Sequence, residues 1–332
     1  MATRSATRRR RWQRLASVFA TLVLAGALIA FAALPSCVRP MVAPAIVHVT
    51  NTDRTIDPAR DPDPAELRRL GIDQQFRVDV PGDHPASLSV WVIEPPQPPT
   101  ATLLILHGIN DAKSNMRTLG QAFADEGFRV VLADLRAHGR STGRYATFGV
   151  RDATDLQALL NDLDQRALLT DQLAVLGPSY GGAAAAQLAA LDPRVDRLIL
   201  VATFSSMRAI VPRYVRRYSP LGIGHLLDEA DIQAAIDDAG SRAAFDPDAA
   251  DSAAALAADD VPTLIFHGSA DTHIPPAHAR ALDDAAPNSR LILLDGATHH
   301  TVFAAPHFDT VFAESLTFLR DPAPTANPSD RP

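Results

Sequence analysis

The chain has 332 residues, of which 47% are apolar and 21% are charged, and this is enough for one domain of about 250 residues with flanking segments. Its single cysteine, Cys37, excludes an intramolecular disulfide and a cysteine-based metal site. The formal net charge of the chain is −7, and residues 1–40 contribute +7 through seven arginines, so residues 41–332 carry −14. A domain this acidic argues against nucleic acid as a partner.

The amino terminus combines arginines with a long apolar run. Six arginines lie within residues 1–14 without an acidic residue, and the twenty residues 15–34 carry no charge. Such a run can span a membrane as a helix, with the arginines in the cytoplasm and the remaining chain outside. The following segment, Leu34-Pro35-Ser36-Cys37, resembles the lipobox of bacterial lipoproteins, so a lipid anchor on Cys37 stays open, as does a cleaved signal. Residues 1–40 are therefore predicted to be an export signal or a membrane anchor.

The segment that follows residue 40 leads into the predicted domain. Residues 41–70 contain four prolines among polar residues with little periodicity, which predicts a linker. Alternating residues over 76–80 and 88–93 predict two strands joined by Pro81-Gly82-Asp83, which is a hairpin at the edge of a sheet. The domain itself is predicted to cover residues 71–320.

From residue 101 onwards, short apolar runs alternate with segments of helical pattern. Strands are predicted over 101–106, 130–133, 173–176, 197–202, 261–266 and 291–294. Together with the hairpin, this alternation predicts an α/β fold with a mostly parallel, doubly wound sheet of about eight strands. The first of these strands ends in His107-Gly108-Ile109-Asn110, where backbone amides are well placed to receive an oxyanion.

The strand at 173–176 runs into Gly177-Pro178-Ser179-Tyr180-Gly181 and then into an alanine-rich stretch. This pattern predicts a sharp strand-to-helix turn with Ser179 at the bend, called a nucleophile elbow. Side chains at Gly177 or Gly181 would collide with the neighbouring strand and helix. The structural alternative is an ordinary glycine turn in which Ser179 caps the helix.

The alternation of strand and helix breaks over about residues 204–260. This insertion is predicted to form a small helical cap over the carboxyl ends of the strands, where open α/β sheets bind ligands. Its aromatic residues Tyr214 and Tyr218 are predicted to contact the substrate. The alternative is that both tyrosines only pack the cap onto the domain.

Two polar residues beyond the cap also follow predicted strands. Asp271 and His299 would therefore emerge at the same edge of the sheet as Ser179. A serine hydroxyl needs an imidazole to accept its proton and a carboxylate to orient that imidazole, and these three residues supply all of them. His300 is the alternative base, but the spacing Gly296-Ala297-Thr298-His299 favours His299.

The order serine, acid, histidine is the arrangement of the α/β-hydrolases. Residues 73–320 resemble that superfamily, and three segments resemble its serine aminopeptidase-like and monoacylglycerol lipase-like branch: residues 107–111, 134–141 and 177–182. The resemblance implies no cofactor and the following roles: Ser179 as nucleophile, Asp271 as acid, His299 as base, and the amides of Ile109 and Tyr180 as oxyanion hole. Ala137 stands where the relatives' turn has its first glycine, and Pro178 where they often have histidine.

The predicted function is hydrolysis of a small-molecule carboxylic ester through an acyl-enzyme. A serine peptidase and a non-catalytic binding domain at the cell surface are the alternatives. Metal binding by Asp271, Thr272, His273 and His278 is not predicted, because their spacing matches no common zinc pattern. The sequence leaves the oligomeric state open, and the proline-rich residues 321–332 are predicted to be a disordered tail.

Overall fold

The computed structural model describes residues 38, 40–49 and 62–321. These residues build an eight-stranded sheet with helices on both faces. The strands are β1 Gln74–Val80, β2 Ala86–Ile93, β3 Ala101–Ile105, β4 Phe128–Ala133, β5 Leu173–Pro178, β6 Arg197–Val201, β7 Thr263–Gly268 and β8 Ser289–Leu294. The helices are α1 Pro64–Leu70, α2 Lys113–Asp125, α3 Val150–Gln165, α4 Tyr180–Leu191, α5 Met207–Tyr218, α6 Glu229–Ala243, α7 Ser252–Ala257, α8 Ala277–Ala285 and α9 His307–Arg320, with 3₁₀ turns at Pro220–Leu226 and Pro247–Ala249.

The strand order is β1-β2-β4-β3-β5-β6-β7-β8. The β1–β2 hairpin is antiparallel, β2 also pairs antiparallel with β4, and every pairing from β4 to β8 is parallel. The predicted α/β sheet and its edge hairpin are thereby confirmed. Because β5, β6, β7 and β8 are neighbours and parallel, the residues that follow them meet at one edge of the sheet.

Strand residues alternate between the two faces, and each face carries its own apolar core. Leu104 and Val175 lie in the core formed with α3, α4, α7 and α8, whereas Ile105 and Leu176 lie in the core formed with α1, α2 and α9. The central strands β3, β5, β6 and β7 are buried on both faces, which explains why their sequences are continuous apolar runs.

Two parts of the predicted linker pack onto the domain, so the prediction of a spacer is wrong for them. Residues 40–47 are helical, and Ala43 and Val47 are fully buried in a cluster with residues of α6. The Val47 carbonyl also accepts a hydrogen bond from the Ala146 amide at 2.9 Å. The second part, α1, begins at Pro64 directly after its cap Asp63, because proline is well suited to the first turn of a helix. Residues 50–61 lie outside the described part of the chain.

The cap lies between β6 and β7, as predicted. Its two ends are joined at the base by a backbone bridge between Ser206 and Asp251, and by a hydrogen bond from the Met207 amide to the Ala250 carbonyl at 2.8 Å. Helix α7 follows this bridge and packs with α4 and α8 in the helix layer of the domain. The cap therefore consists of α5, α6 and the two 3₁₀ turns, and it ends about ten residues earlier than predicted.

No helix within the described ranges is both long enough and apolar enough to cross a membrane. The predicted anchor at residues 15–34, Cys37 and the predicted tail from residue 322 onwards all lie outside those ranges.

Candidate active site

Ser179 sits at the turn between β5 and α4 with φ 51° and ψ −114°. This left-handed conformation is rare for a serine and typical of functional sites that hold backbone strain. The Ser179 amide donates to the Val201 carbonyl of β6 at 2.8 Å, which fixes the turn against the neighbouring strand. The Ser179 side chain makes no capping hydrogen bond to α4, so the turn is not explained by a capping serine.

The glycines around Ser179 are required by close backbone contacts, as predicted. A Cβ atom at Gly181 would lie 2.6 Å from the His107 carbonyl oxygen, and one at Gly177 would overlap the backbone of Gly181. A Cβ atom at Gly182 would overlap the Thr203 hydroxyl. These contacts press the first turn of α4 against the sheet and hold Ser179 at its edge.

Asp271 and His299 follow β7 and β8 and are joined by a hydrogen bond of 2.8 Å between His299 Nδ1 and Asp271 Oδ2. The other carboxylate oxygen of Asp271 accepts from the amides of His273 at 2.7 Å and Ile274 at 2.9 Å. Burial would raise the pKa of Asp271, but these hydrogen bonds and the adjacent imidazole outweigh burial, and its pKa lies below the ordinary value. The ionised carboxylate assigns the proton to His299 Nδ1 and leaves Nε2 to act as an acceptor.

Ser179 is largely buried, with 7% of the residue exposed, and its hydroxyl forms no hydrogen bond within residues 62–321. The structure therefore links the acid to the histidine but does not link the histidine to the serine by a hydrogen bond. Such bonds are often formed only when the substrate is bound. The loop after β3 faces Ser179, because a Cβ atom at Gly108 would lie 3.9 Å from Ser179 Cβ.

The amides of Ile109 and Tyr180 donate no hydrogen bond to another group of the described residues. Tyr180 is the first residue of α4, where backbone amides point out of the helix and favour negative charge. His107 braces the loop that carries Ile109: His107 Nε2 accepts from the Leu135 amide at 3.0 Å. The ring proton therefore belongs on Nδ1, which donates to the Gly108 carbonyl at 2.8 Å.

The Tyr180 side chain has a role that the sequence analysis missed. Its hydroxyl donates to Asp152 at 2.8 Å and accepts from the amides of Thr147 at 2.9 Å and Phe148 at 3.1 Å. Tyr180 is fully buried, so this network fixes the residue whose amide is a candidate oxyanion donor. No local signal could have found it, because Asp152 is 28 positions away in the sequence.

Lys113 and Asp134 form a buried ion pair that the sequence analysis also missed. Lys113 Nζ lies 2.5 Å from Asp134 Oδ2 and 2.9 Å from Ser89 Oγ, and both charged side chains have no exposed surface. Burial would raise the pKa of Asp134, but the Lys113 charge and the hydrogen bonds from Lys113 and the Arg140 amide bring it below the ordinary value. The pair ties the start of α2, just beyond the Ile109 loop, to the end of β4.

We expect Lys113→Met to lower the free energy of unfolding by about 3–5 kcal/mol, because it leaves the Asp134 carboxylate buried without its cation. Urea unfolding followed by circular dichroism measures this loss. The control is Arg166→Met, which removes an exposed partner of Asp162 and should change stability by at most about 0.5 kcal/mol. Equal losses in the two variants would show that the buried pair contributes no more than a surface pair.

Both predicted cap tyrosines lie beside the site. Tyr214 is partly buried and packs against the core, whereas Tyr218 is 54% exposed. The Tyr218 ring lies 5.9 Å from the Tyr214 ring and 5.9 Å from the His273 ring. His273 in turn stacks on His299 at 5.5 Å. Tyr218 thus contacts His299 through the His273 ring, and the Tyr214 ring packs against Tyr218.

His300 follows His299 and is exposed, with its ring edge-on to His299 at 5.5 Å and to His273 at 4.7 Å. The hydrogen bond to Asp271 is made by His299 and not by His300. Within residues 38–49 and 62–321 as far as they are described, no group of three or more histidine, cysteine or acidic side chains is arranged to hold a metal ion.

Comparisons with known proteins agree with this fold. A family model described as alpha/beta hydrolase fold matches residues 101–224, and a model described as TAP-like protein matches residues 243–327. The uncharacterized protein YfhR of Escherichia coli K12 is 28% identical over 223 residues, which cover 66% of this chain and 70% of YfhR.

Two solved structures show the same fold. The Pyrococcus furiosus esterase Pf2001 has a TM-score of 0.60 and 18% identity, covering 82% of this chain and 97% of the esterase. Est1E from Butyrivibrio proteoclasticus, solved with ferulic acid bound, has a TM-score of 0.55 and 19% identity, covering 74% of this chain and 97% of Est1E. The family models, the eight-stranded sheet and these neighbours lead to one conclusion: the chain belongs to the α/β-hydrolase superfamily.

Proposed function

We propose that the protein is a serine hydrolase that cleaves a carboxylic ester through an acyl-enzyme on Ser179. The observation that carries this proposal is the 2.8 Å hydrogen bond from His299 to the buried Asp271, at the sheet edge where the strained elbow presents Ser179. A serine is activated by an imidazole that a carboxylate holds, and the three side chains that could do this follow β5, β7 and β8 at one edge of the sheet.

The reaction proceeds in two halves. Ser179 Oγ attacks the ester carbonyl carbon, its proton passes to His299 Nε2, and the amides of Ile109 and Tyr180 donate to the developing oxyanion. The tetrahedral intermediate collapses, and His299 returns the proton to the departing alkoxide oxygen. A water molecule, deprotonated by His299, then attacks the acyl carbon, so the carboxylic acid is released and Ser179 regains its proton.

A serine peptidase uses the same three groups and is the nearest alternative. An aminopeptidase-like enzyme has to bind a substrate ammonium, which needs carboxylates that are free to pair with it. Among the described residues near the site, Asp271 is already bonded to His299, and the cap side of the mouth carries Arg213 and Arg217. These charges favour the ester over the aminopeptidase reaction.

We also propose that residues 1–40 tether the enzyme to a membrane with the catalytic domain outside the cytoplasm. This rests on the arginines of residues 1–14 and the uncharged run at residues 15–34. The substrate is then a small-molecule ester that reaches the enzyme outside the cell or in the periplasm. Tethering and catalysis are separate proposals, because neither depends on the residues that support the other.

We expect kcat/KM for p-nitrophenyl esters to rise from acetate to medium-length acyl chains and then level off. Each methylene that becomes fully buried against the cap contributes about 0.8 kcal/mol, and a small cap buries only a few of them. Tyr218→Ala should flatten the rise, because its exposed ring provides part of the acyl contact, with the Tyr214 ring packed against it.

The control for this series is Leu191→Ala, which removes an exposed apolar side chain at the far end of α4. It should leave the profile as in the wild type. A profile unchanged by Tyr218→Ala would show that the cap tyrosines only pack the insertion onto the domain. Faster turnover of aminoacyl p-nitroanilides than of any ester would replace the esterase by the peptidase.

A further inference from the structure

The mouth of the site is bordered by a group of basic and aromatic side chains that we call the basic rim. It consists of Arg213, Arg217, Tyr218, His273 and His300. Tyr218 contacts His273 ring to ring at 5.9 Å, and His273 stacks on the candidate base His299 at 5.5 Å. Within the basic rim, His273 contacts the candidate base His299 directly, and Tyr218 is separated from His299 by the His273 ring.

The arginines of helix α5 differ in whether a carboxylate pairs with them. Arg208 pairs with Asp237 at 2.8 Å, and Arg216 pairs with Glu229 at 2.8 Å. Arg213 and Arg217, in contrast, have no carboxylate within ion-pair distance among residues 62–321. The two arginines of α5 without a carboxylate partner are thus the two whose contacts lie near the site, with Thr272 and with Tyr218.

The structure holds both unpaired guanidinium groups in place. Arg217 Nε donates to the Tyr218 hydroxyl at 3.2 Å, and its guanidinium lies 5.6 Å from the Tyr218 ring centre. Arg213 Nε donates to the Thr272 carbonyl at 3.0 Å, one residue after Asp271. Holding a guanidinium in place lowers the entropy that it loses when it binds an anion.

The charges of Arg217 and Arg213 each contribute to lowering the pKa of a nearby histidine. Burial lowers the pKa of His273, and the charges of His299, His300 and Arg217 lower it further. Burial lowers the pKa of His278 to about 4, and His267 and Arg213 contribute. Arg217 and Arg213 therefore add positive charge to this region, although the chain as a whole carries a net negative charge.

We propose that Arg217, with Arg213 beside it, selects esters whose acyl chain ends in a carboxylate. This deepens the proposed esterase function and rests on it. The scissile carbonyl lies at Ser179, the methylenes of the acyl chain lie along Tyr218, and the terminal carboxylate reaches the rim. Guanidinium groups bind carboxylates through two parallel hydrogen bonds, which suits the exposed position of Arg217.

The test uses three p-nitrophenyl esters of equal chain length: mono-p-nitrophenyl suberate, its methyl ester, and p-nitrophenyl 8-aminooctanoate. All three release the same nitrophenol, so differences in kcat/KM report the terminal group. The wild type is expected to prefer the acid over the methyl ester, and to use the ammonium ester least. High sodium chloride should weaken this preference, because an exposed charge is screened by salt.

Arg217→Gln is expected to lower the ratio of kcat/KM for the acid to kcat/KM for the methyl ester by about two- to fivefold. Arg217→Lys should keep part of the ratio, since the charge remains without the planar fork. The matched control is Arg216→Gln, the adjacent arginine that is paired with Glu229, and it should leave the ratio as in the wild type.

The outcomes separate this inference from the esterase proposal. If the wild type hydrolyses the methyl ester but shows no preference for the acid, or if Arg217→Gln and Arg216→Gln change the ratio equally, the selection by Arg217 is wrong and the esterase proposal stands. If the wild type hydrolyses none of the three esters, the esterase proposal itself fails.

Discussion

Ser179→Ala is expected to lower kcat for the best ester by about four to six orders of magnitude, because the acyl-enzyme can no longer form. The fold should persist, since the Ser179 hydroxyl makes no hydrogen bond within residues 62–321 and does not cap α4. Initial rates measure the loss of activity, and urea unfolding checks that the variant retains its stability.

Ser205→Ala is the matched control for this variant. Ser205 shares a 2.9 Å hydrogen bond with His278 Nδ1, so this pair is a second combination of a serine and a histidine. The Ser205 amide also donates to His278 Nδ1. Burial lowers the pKa of His278 to about 4, which makes this imidazole a weak base. The control should keep activity within about tenfold of the wild type. If Ser205→Ala were inactive and Ser179→Ala active, the nucleophile would be Ser205.

His299→Ala is expected to be about as damaging as Ser179→Ala, since residues that act as a unit lose most of their effect when any one of them is removed. His300→Ala should cost less than about tenfold, because His300 is exposed and has no hydrogen bond to Asp271. The two variants are matched, as they remove neighbouring imidazoles from the same turn. Steady-state kcat with one ester measures both effects.

The reverse order of effects would transfer the role of the base to His300. Comparable small losses in both variants would show that neither imidazole takes the serine proton. The urea concentration at the midpoint of unfolding is measured for each variant as well. This checks that the fold is kept, because the rings of His273, His299 and His300 pack together at 4.7–5.5 Å and removing one ring changes the packing of the others.

The features that were predicted from the sequence are those coded by neighbouring residues. The elbow is one example, since a buried strand, Gly177, Ser179 and Gly181 lie within a few positions and force a tight turn. The sheet is another, because parallel strands buried on both faces leave continuous apolar runs. Ala137 adopts φ 63°, a left-handed conformation that favours glycine, and no glycine marks this position in the sequence.

The features that were missed depend on contacts between distant positions. Lys113 begins a helix, and Asp134 and Ser89, which are distant in the sequence, surround its ammonium group in the core. The helix at residues 40–47 was interpreted as linker because of the prolines nearby, and its stability depends on α6, about 190 positions later. Neither contact produces a local pattern that could have indicated it.

The proposal that Ser179 is the nucleophile is tested most directly by the site of covalent labelling. The full-length protein is treated with a fluorophosphonate, and the modified peptide is sequenced by mass spectrometry, with Ser179→Ala and Ser205→Ala treated in parallel. We expect one phosphonyl adduct on Ser179 in the wild type and in Ser205→Ala, formed as hydrolytic activity is lost, and no adduct in Ser179→Ala. Labelling of Ser179→Ala at the wild-type rate, or an adduct on a different residue that forms as activity disappears, would contradict it.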